Sequence, residues 1–252
     1  MSRLRHAEQV MGTVVSFDVP SAAQDSGALA AAVRWLHWVD ATFSTYQAGS
    51  DVSRLGRGEV TVAECAPQLA EVLAACDALR EQSGGYFTAY PRGTLDPSGY
   101  VKGWAVERAA RIITEGGSTA HTVNGGGDVQ CVGARPDAAS WRIGISSPLH
   151  PGSLALVVTG RDFAVATSGV AERGAHIFDP VAGRPATGLA SVTVVGPSLT
   201  LADAYATAAF AMGPVRARQW THEALGDYAA CAILPDGTTW QTPGFESYLP
   251  VS

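Results

Sequence analysis

Lysine is nearly absent from this chain of 252 residues. Lys and Arg together number 17, and Lys102 is the single lysine among them. The sequence thus keeps one compact ammonium on a flexible stem, which suits a phosphate oxygen or a ring acceptor in a tight pocket. Gly99 and Gly103 flank it and permit close backbone approach. The alternative is that Lys102 merely decorates the helix that follows.

Other absences exclude whole classes of protein. The net charge of −6 and the pI of about 5.5 argue against a nucleic-acid or anionic-membrane surface. The sequence has no apolar run long enough to span a bilayer and no N-terminal apolar region of signal-peptide length, so we expect a cytoplasmic protein without a membrane segment. Its four cysteines form no CxxC pair, which excludes a readable zinc knuckle and predicts free thiols in a reducing compartment.

Hydrophobic periodicity predicts helices and strands that neither alternate strictly nor separate into blocks. We expect an α+β fold with a mixed sheet, as a single domain over residues 1–252. The predicted strands are 11–20, several within 121–133 and 140–169, 191–196 and a hairpin over 227–242. The predicted helices are 26–41 with Ser26 as a possible N-cap, 66–85, 101–115, 199–212 and 214–225, with a loop over 43–58.

Asp203 is the only charged residue between Pro185 and Val215, on an apolar, Ala-rich helix. Such a carboxylate must be paired, solvated or bound to a cation, and no basic residue lies within reach along its helix. Thr207 follows one turn later on the same face, so the two side chains can offer hard oxygen ligands to Mg²⁺. The alternative is an Asp that merely favours the helix dipole near the N-terminus, with Thr207 in the core.

Asp128 is a second isolated charge, directly after three glycines in the sequence VNGGGDVQ. Glycines weaken a strand, but they suit a bend or a close approach to a ligand, and exposed N–H groups there can bind an anion. The sequence lacks the spacing of a Walker A or Rossmann motif. A tight turn is the alternative. His176, before the turn initiator Asp179-Pro180, is a candidate general base or a buried structural histidine.

Taken together, these features fit chemistry on a phosphoanhydride, and the sequence resembles the ApbE-type FAD:protein FMN transferases over nearly its whole length. The segments that carry the resemblance are MGTVVS, FSTYQAGSDVSRL, GGYF, LDPSGYVKGWAVERAA, VNGGGDVQ, WRIGI, ATSGVAERGAHIFDPVAGRP and VTVVGPSLTLADAYATAAFAMG. The resemblance implies a fold related to the T-fold, with two lobes around a flavin-binding cleft. It also implies Mg²⁺-dependent transfer of the FMN moiety of FAD to a Ser or Thr hydroxyl of a target protein, with release of AMP.

The resemblance also implies roles for individual residues. Mg²⁺ would be held by Asp203, Thr207 and the carbonyl of Gly99. Lys102 would contact FAD and assist the reaction, and His176 would deprotonate the acceptor hydroxyl. The remaining FAD contacts would be Met11, Tyr46, Tyr86, Phe87, Thr88, Asp96 and Ile177.

Two positions depart from the family pattern. Thr88 stands where an Asp is common, and Gly56 stands where an Asn is frequent. Two alternatives to the transferase therefore stay open at this point. One is a Mg²⁺-dependent FAD pyrophosphatase that yields FMN and AMP, and the other is a non-catalytic FAD-binding protein.

Overall fold

A computed structural model describes residues 3–135, 138–170 and 177–250 of the chain. The helices are α1 (Ala22–Asp25), α2 (Ala28–Phe43), α3 (Asp51–Gly56), α4 (Pro67–Gln82), α5 (Ser98–Glu115) and α6 (Leu199–Ala224). The strands are β1 (Arg3–Val10), β2 (Thr13–Pro20), β3 (His121–Gly125), β4 (Asp128–Val132), β5 (Trp141–Ser146), β6 (Leu154–Gly160), β7 (Phe163–Gly169), β8 (Phe178–Asp179), β9 (Arg184–Pro185), β10 (Ser191–Gly196), β11 (Ala229–Ile233) and β12 (Thr239–Gln241).

Eight strands form one sheet in the order β1-β2-β3-β4-β7-β10-β11-β12, and β5-β6 and β8-β9 are separate two-stranded ribbons. This confirms the α+β class. In the part of the chain that the structure describes, every strand pairing is antiparallel, so the mixed strand directions that we expected are not found. Strand direction depends on which strands become neighbours, and local periodicity does not contain that information.

Side chains alternate between the two faces of the large sheet. On one face, Ala164 and Ala166 of β7 belong to the main core, which also contains buried residues of α2, α4, α5 and α6. On the other face, Phe163 and Val165 pack with Trp141 and Phe245 in a second, smaller core under the β5-β6 ribbon. The residues of α5 and α6 that are described below lie on the helix-covered face.

Several predicted boundaries were wrong. The N-terminal strand β1 was not predicted, although it pairs with β2 along its whole length. The strand predicted from residue 11 begins at Thr13, because Met11 and Gly12 form the turn, both with positive φ (56° and 68°). Ser26 does not cap α2, since Gly27 at φ 74° occupies that position. Helix α3, capped by Ser50, lies inside the segment predicted as a loop.

The close packing of α5 on α6 depends on Gly103. A Cβ at this position would lie 2.6 Å from the carbonyl oxygen of Leu199 and 2.9 Å from Cβ of Asp203. The absence of a side chain therefore lets the two helices approach at this level. Further along, α6 contains a break at Gly213 (φ 70°, ψ 175°) before Pro214, as the two predicted helices 199–212 and 214–225 require.

Candidate functional site

A cavity of about 930 Å³ opens where α5 and α6 meet the ends of β4 and β7. Residues from distant parts of the sequence line it, including both two-residue hairpin turns, Met11-Gly12 and Gly126-Gly127. Each predicted site residue that falls in the described part of the chain lies on this cavity: Met11, Tyr46, Tyr86, Phe87, Thr88, Asp96, Gly99, Lys102, Ile177, Asp203 and Thr207. His176 lies outside the described residues, so its position stays a prediction.

Lys102 joins two buried carboxylates in the wall of the cavity. Its Nζ forms an ion pair with Oδ2 of Asp128 and a second contact of 3.4 Å with Oδ1 of Asp203. The two carboxylate side chains are 2% and 4% exposed, whereas Lys102 keeps 26% of its side-chain surface accessible from the cavity. Lys102, Asp128 and Asp203, which stood out in the sequence as isolated charges, therefore form one cluster. The cationic partner of Asp203 comes from α5 and not from its own helix.

The environment shifts the pKa values of this cluster in definite directions. Burial disfavours the charged ammonium of Lys102, but the carboxylates of Asp128 and Asp203 outweigh that effect and hold its pKa above its ordinary value. Burial raises the pKa of Asp203, and the ammonium of Lys102 opposes this rise. Lys102 is therefore positively charged throughout the neutral pH range.

Backbone groups hold the two carboxylates in place. The N–H of Gly103 donates to Oδ2 of Asp203 at 3.0 Å, and the N–H of Thr167 donates to Oδ1 of Asp128 at 2.9 Å. The Gly103 bond runs from α5 to α6, so the first turns of α5 position the carboxylate of Asp203.

Thr207, Ser168 and Gly99 complete the polar wall beside Asp203. The hydroxyl oxygens of Ser168 and Thr207 are 3.5 Å apart. A Cβ on Gly99 would lie 3.4 Å from Cγ2 of Thr207, so the first turn of α5 packs directly against this part of α6. The carboxylate, the hydroxyl and the Gly99 carbonyl are all hard oxygen donors, and they fit a divalent cation that takes few protein ligands.

No group of three or more His, Cys, Asp or Glu side chains that could hold a metal ion exists within residues 3–135, 138–170 and 177–250. A cage formed wholly by the protein is thus not seen in these ranges. The donor set at Asp203 fits Mg²⁺ in particular, because this ion commonly completes its shell with waters and substrate phosphates.

Contacts between elements fix the position of α6. Glu107 of α5 accepts hydrogen bonds from the hydroxyl of Ser198 at 2.5 Å and from the N–H and hydroxyl of Thr200 at 2.9 and 2.6 Å. Oε1 of Gln130 on β4 accepts the N–H of Leu199 at 3.0 Å. Because these acceptors satisfy the first turn of α6, they set the position of Asp203 one turn further along.

The aromatic residues of the cavity differ in exposure. Phe87 is 2% exposed and belongs to the main core, whereas the Tyr46 side chain is 98% exposed. The ring of Tyr86 lies under the guanidinium of Arg216, with 5.1 Å between ring centroid and Cζ. Tyr46 and Tyr86 therefore offer aromatic surface to a ligand, while Phe87 mainly supports the wall behind Gly99.

Thr88, Asp96 and Ile177 lie around the rest of the cavity. The hydroxyl of Thr88 accepts the N–H of Tyr90 at 3.1 Å, and a carboxylate oxygen of Asp96 accepts the N–H of Ser98 at 3.1 Å at the start of α5. Ile177 is buried. At position 88 the chain thus has a neutral hydroxyl that is engaged with its own loop.

The glycines before Asp128 serve as a hairpin turn and not as a stretch within a strand. Gly125 pairs with Asp128, and Gly126 and Gly127 form the turn with φ of 60° and 96°. A Cβ on Gly126 would lie 2.7 Å from Oγ1 of Thr13, so the two hairpin turns at the cavity touch. The tight-turn alternative is correct, and the turn also brings Asp128 to Lys102.

Some cavity residues were not found from the sequence. Gly144, Ile145 and Ser146 of β5 line the cavity, although that strand pairs with neither β4 nor β7. Their sequence is an ordinary strand pattern and has no local sign of a site. Ser168 of β7 was assigned no role from the sequence. The sequence feature that could have revealed it is a polar residue on the core-facing side of β7, where Ala164 and Ala166 are apolar.

Sequence comparison relates this chain to known proteins. The model of the ApbE family matches residues 11–91 and 88–232. Two curated relatives are named FAD:protein FMN transferase. That of Escherichia coli (strain K12) is 30% identical over 166 residues, covering 62% of this chain and 47% of the relative. That of Treponema pallidum is 36% identical over 160 residues, covering 56% of this chain and 44% of the relative. The chain spans about half the length of these curated relatives.

Comparison of structures gives the same relationship at the level of the fold. The flavin transferase ApbE from Vibrio cholerae superposes with a TM-score of 0.85 at 22% identity, over 98% of this chain and 99% of that one. The ApbE protein from Thermotoga maritima gives a TM-score of 0.88 at 22% identity, over 99% of this chain and 100% of that one. With the family model matched over most of its length, the chain belongs to the ApbE family.

Proposed function

We propose that this protein transfers the FMN moiety of FAD to a Ser or Thr hydroxyl of a target protein, with Mg²⁺, and releases AMP. The observation that carries the proposal is the cluster of Lys102, Asp128 and Asp203 in the wall of a cavity of about 930 Å³. An ammonium beside a carboxylate that can hold a divalent cation suits a pyrophosphate, and the aromatic surface of Tyr46 and Tyr86 in the same cavity suits a flavin ring. The names of the curated relatives support the same activity.

The reaction is a displacement at phosphorus. The acceptor hydroxyl oxygen forms a bond to the phosphorus on the FMN side of the pyrophosphate, and the bond from that phosphorus to the bridging oxygen breaks. AMP leaves with the bridging oxygen, and the hydroxyl proton passes to a base, for which His176 is the candidate. FMN is thereby joined to the acceptor through a phosphoester, and no oxidant or reductant is consumed.

The chain's own residues would mainly bind and orient the reactants. Lys102 would place its ammonium against a phosphate oxygen, since its side chain lines the cavity and is 26% exposed. Met11, Thr88, Asp96 and Ile177 would hold the remainder of FAD. Because the leaving group and the acceptor must be in line with the phosphorus, positioning of this kind accounts for much of the expected rate enhancement.

Mg²⁺ would be held by the carboxylate of Asp203, the hydroxyl of Thr207 and the carbonyl of Gly99. When bound, it would neutralise charge that builds up on the pyrophosphate oxygens. The hydrogen bond from the Gly103 N–H to Asp203 supports this assignment, since it holds the carboxylate on the side of α5 that carries Gly99, one turn earlier.

The test is an incubation of the pure protein with FAD, magnesium chloride and a purified acceptor domain that a known FMN transferase modifies. We expect AMP to appear together with an equal amount of flavin that stays on the acceptor after denaturation. AMP with free FMN would instead identify a pyrophosphatase. FAD binding with neither product would identify a binding protein, and Thr88 and Gly56 would then be the first positions to change.

A further inference from the structure

The assigned roles do not use Asp128, although it is one of the most deeply buried charged residues on the cavity. Its side chain is 2% exposed, and it stands at the first position of β4, directly after the Gly126-Gly127 turn. An isolated carboxylate is costly to bury, so its retention requires a specific partner. Asp128 has two partners, one for each carboxylate oxygen.

The two oxygens of Asp128 have separate tasks. Oδ1 accepts the N–H of Thr167 and thereby joins the ends of β4 and β7. Oδ2 pairs with the ammonium of Lys102. An amide in place of the carboxylate would preserve the first contact and lose the charge needed for the second, so the two tasks can be separated by experiment.

The position of Lys102 makes the second task important. Its ammonium lies closer to Asp128 than to Asp203, from which it is 3.4 Å away. Without Asp128, the nearest anionic group in this cluster would be Asp203, and the ammonium would pair there. A carboxylate paired in that way is a weaker ligand for a cation, because the two positive charges compete for the same oxygens.

We propose that Asp128 is a positioning residue that holds the Lys102 ammonium beside Asp203 without letting it neutralise that carboxylate. Asp203 then stays available to Mg²⁺, and Lys102 faces the cavity where the phosphates of FAD would lie. The inference rests on the proposed function for the identity of the cation and the substrate. The ion pair between Lys102 and Asp128 stands without it.

The single lysine gives a direct test on the full chain without FAD. Protein labelled at the lysine ε-carbon has one signal, which reports the surroundings of Lys102. Asp128→Asn preserves an acceptor for the Thr167 N–H. We expect the Lys102 signal to shift as the ammonium pairs with Asp203 instead, and the Kd for Mg²⁺, measured by calorimetry, to rise about tenfold. A role confined to the β4–β7 contact would change neither quantity.

Asp162→Asn is the matched control. Oδ1 of Asp162 accepts the N–H of Gly133 at 2.6 Å near the other ends of β4 and β7, and its φ of 38° is one that Asn tolerates. We expect wild-type values for it. Asp128→Glu keeps the charge and should restore the wild-type lysine signal and most of the Mg²⁺ affinity. If Asp128→Asn does not fold, Asp128→Ser replaces it, since its side chain is smaller, polar and neutral.

An unchanged lysine signal and an unchanged Mg²⁺ affinity in the folded neutral variant would overturn the proposal. So would an equal loss of affinity in Asp162→Asn, because a general weakening of the sheet would then explain both results. If the wild-type protein binds no Mg²⁺ at all, the metal assignment fails, but the lysine signal still decides whether Asp128 restrains Lys102. The two failures are therefore distinguishable.

Discussion

Gly103 and Asp203 touch across the α5–α6 contact, where the glycine N–H donates to the carboxylate at 3.0 Å and no side chain fits beneath it. One residue thus provides both the space that lets the helices meet and a hydrogen bond that directs the carboxylate into the site. Packing and function are coupled at this contact, and it leads to the first prediction.

Gly103→Ala should destabilise the protein, although the same change in an ordinary exposed helix is stabilising. The new methyl group would lie 2.6 Å from the Leu199 carbonyl oxygen, so α5 and α6 must separate at a cost of about 1–3 kcal/mol. Thermal and urea unfolding measure this change. Gly49→Ala is the control, because a Cβ there has no neighbour within 4 Å in the described structure. Equal stability of the two variants would contradict the account.

Glu107→Gln should loosen the first turn of α6. The carboxylate accepts three hydrogen bonds from Ser198 and Thr200, and a neutral amide oxygen accepts them more weakly, so we expect a loss of about 1–2 kcal/mol in the free energy of unfolding. Glu115→Gln on the same helix provides the comparison. Its exposed pair with Arg108 should be worth less than about 1 kcal/mol. A larger loss in Glu115→Gln would refute this explanation.

The affinity for Mg²⁺ should depend on the hydroxyl of Thr207 more than on the volume of its side chain. Thr207→Val preserves the packing against Gly99 but removes an oxygen donor, and we expect Mg²⁺ affinity to fall by at least about tenfold, since even outer-shell partners of a metal are worth that much. Thr207→Ser retains the oxygen and should stay within about threefold of wild type on the same scale. Calorimetric titration with magnesium chloride decides between them. Equal affinities would remove Thr207 from the metal site.

His121 should make stability depend on pH. It is fully buried, with Nδ1 accepting from the Ser118 hydroxyl and Nε2 donating to the Ala110 carbonyl, and burial lowers its pKa from 6.5 to about 4. Between pH 6.5 and about 4, this histidine therefore binds a proton in the unfolded chain but not in the folded protein. The stability from this histidine is present above pH 6.5 and is lost as the pH falls toward 4.

Linkage gives a loss of about 2 kcal/mol between pH 8 and pH 5 from this single group. Urea unfolding across that range, for wild type and for His121→Gln, isolates the contribution, because the other titrating groups are common to both. We expect a smaller pH dependence in the variant. Parallel curves would show that His121 titrates in the folded protein much as it does in the unfolded chain.

The sequence predicted the α+β class and most elements because apolar periodicity is local. It also identified Lys102, Asp203 and Asp128 as unusual, since a single charge in an apolar or lysine-poor setting can be seen without a structure. That the three form one cluster could not be predicted from spacing, because Lys102 and Asp203 are 101 positions apart in the chain and meet only through the α5–α6 contact.

The missed features have a common cause. Strand β1 has alternating intermediate and exposed residues and few strong apolar signals, so its existence depends on pairing with β2. The contribution of Gly144–Ser146 to the cavity depends on how the β5-β6 ribbon lies over the large sheet. Both are tertiary relationships, and a local pattern contains neither.

In the described residues, no helix is both long and apolar enough to cross a membrane. The cytoplasmic location stays a prediction. The proposed activity assigns Asp203 to the metal, so this residue is the one to change first.

The most direct measurement is the intact mass of a competent acceptor domain after incubation with FAD, magnesium chloride and either the wild-type protein or Asp203→Asn. The account predicts that the wild type adds one FMN to the acceptor, which fragmentation places on a Ser or Thr, and that Asp203→Asn, correctly folded, adds none in the same time. An unmodified acceptor with the wild type, or equal modification by both proteins, would contradict it.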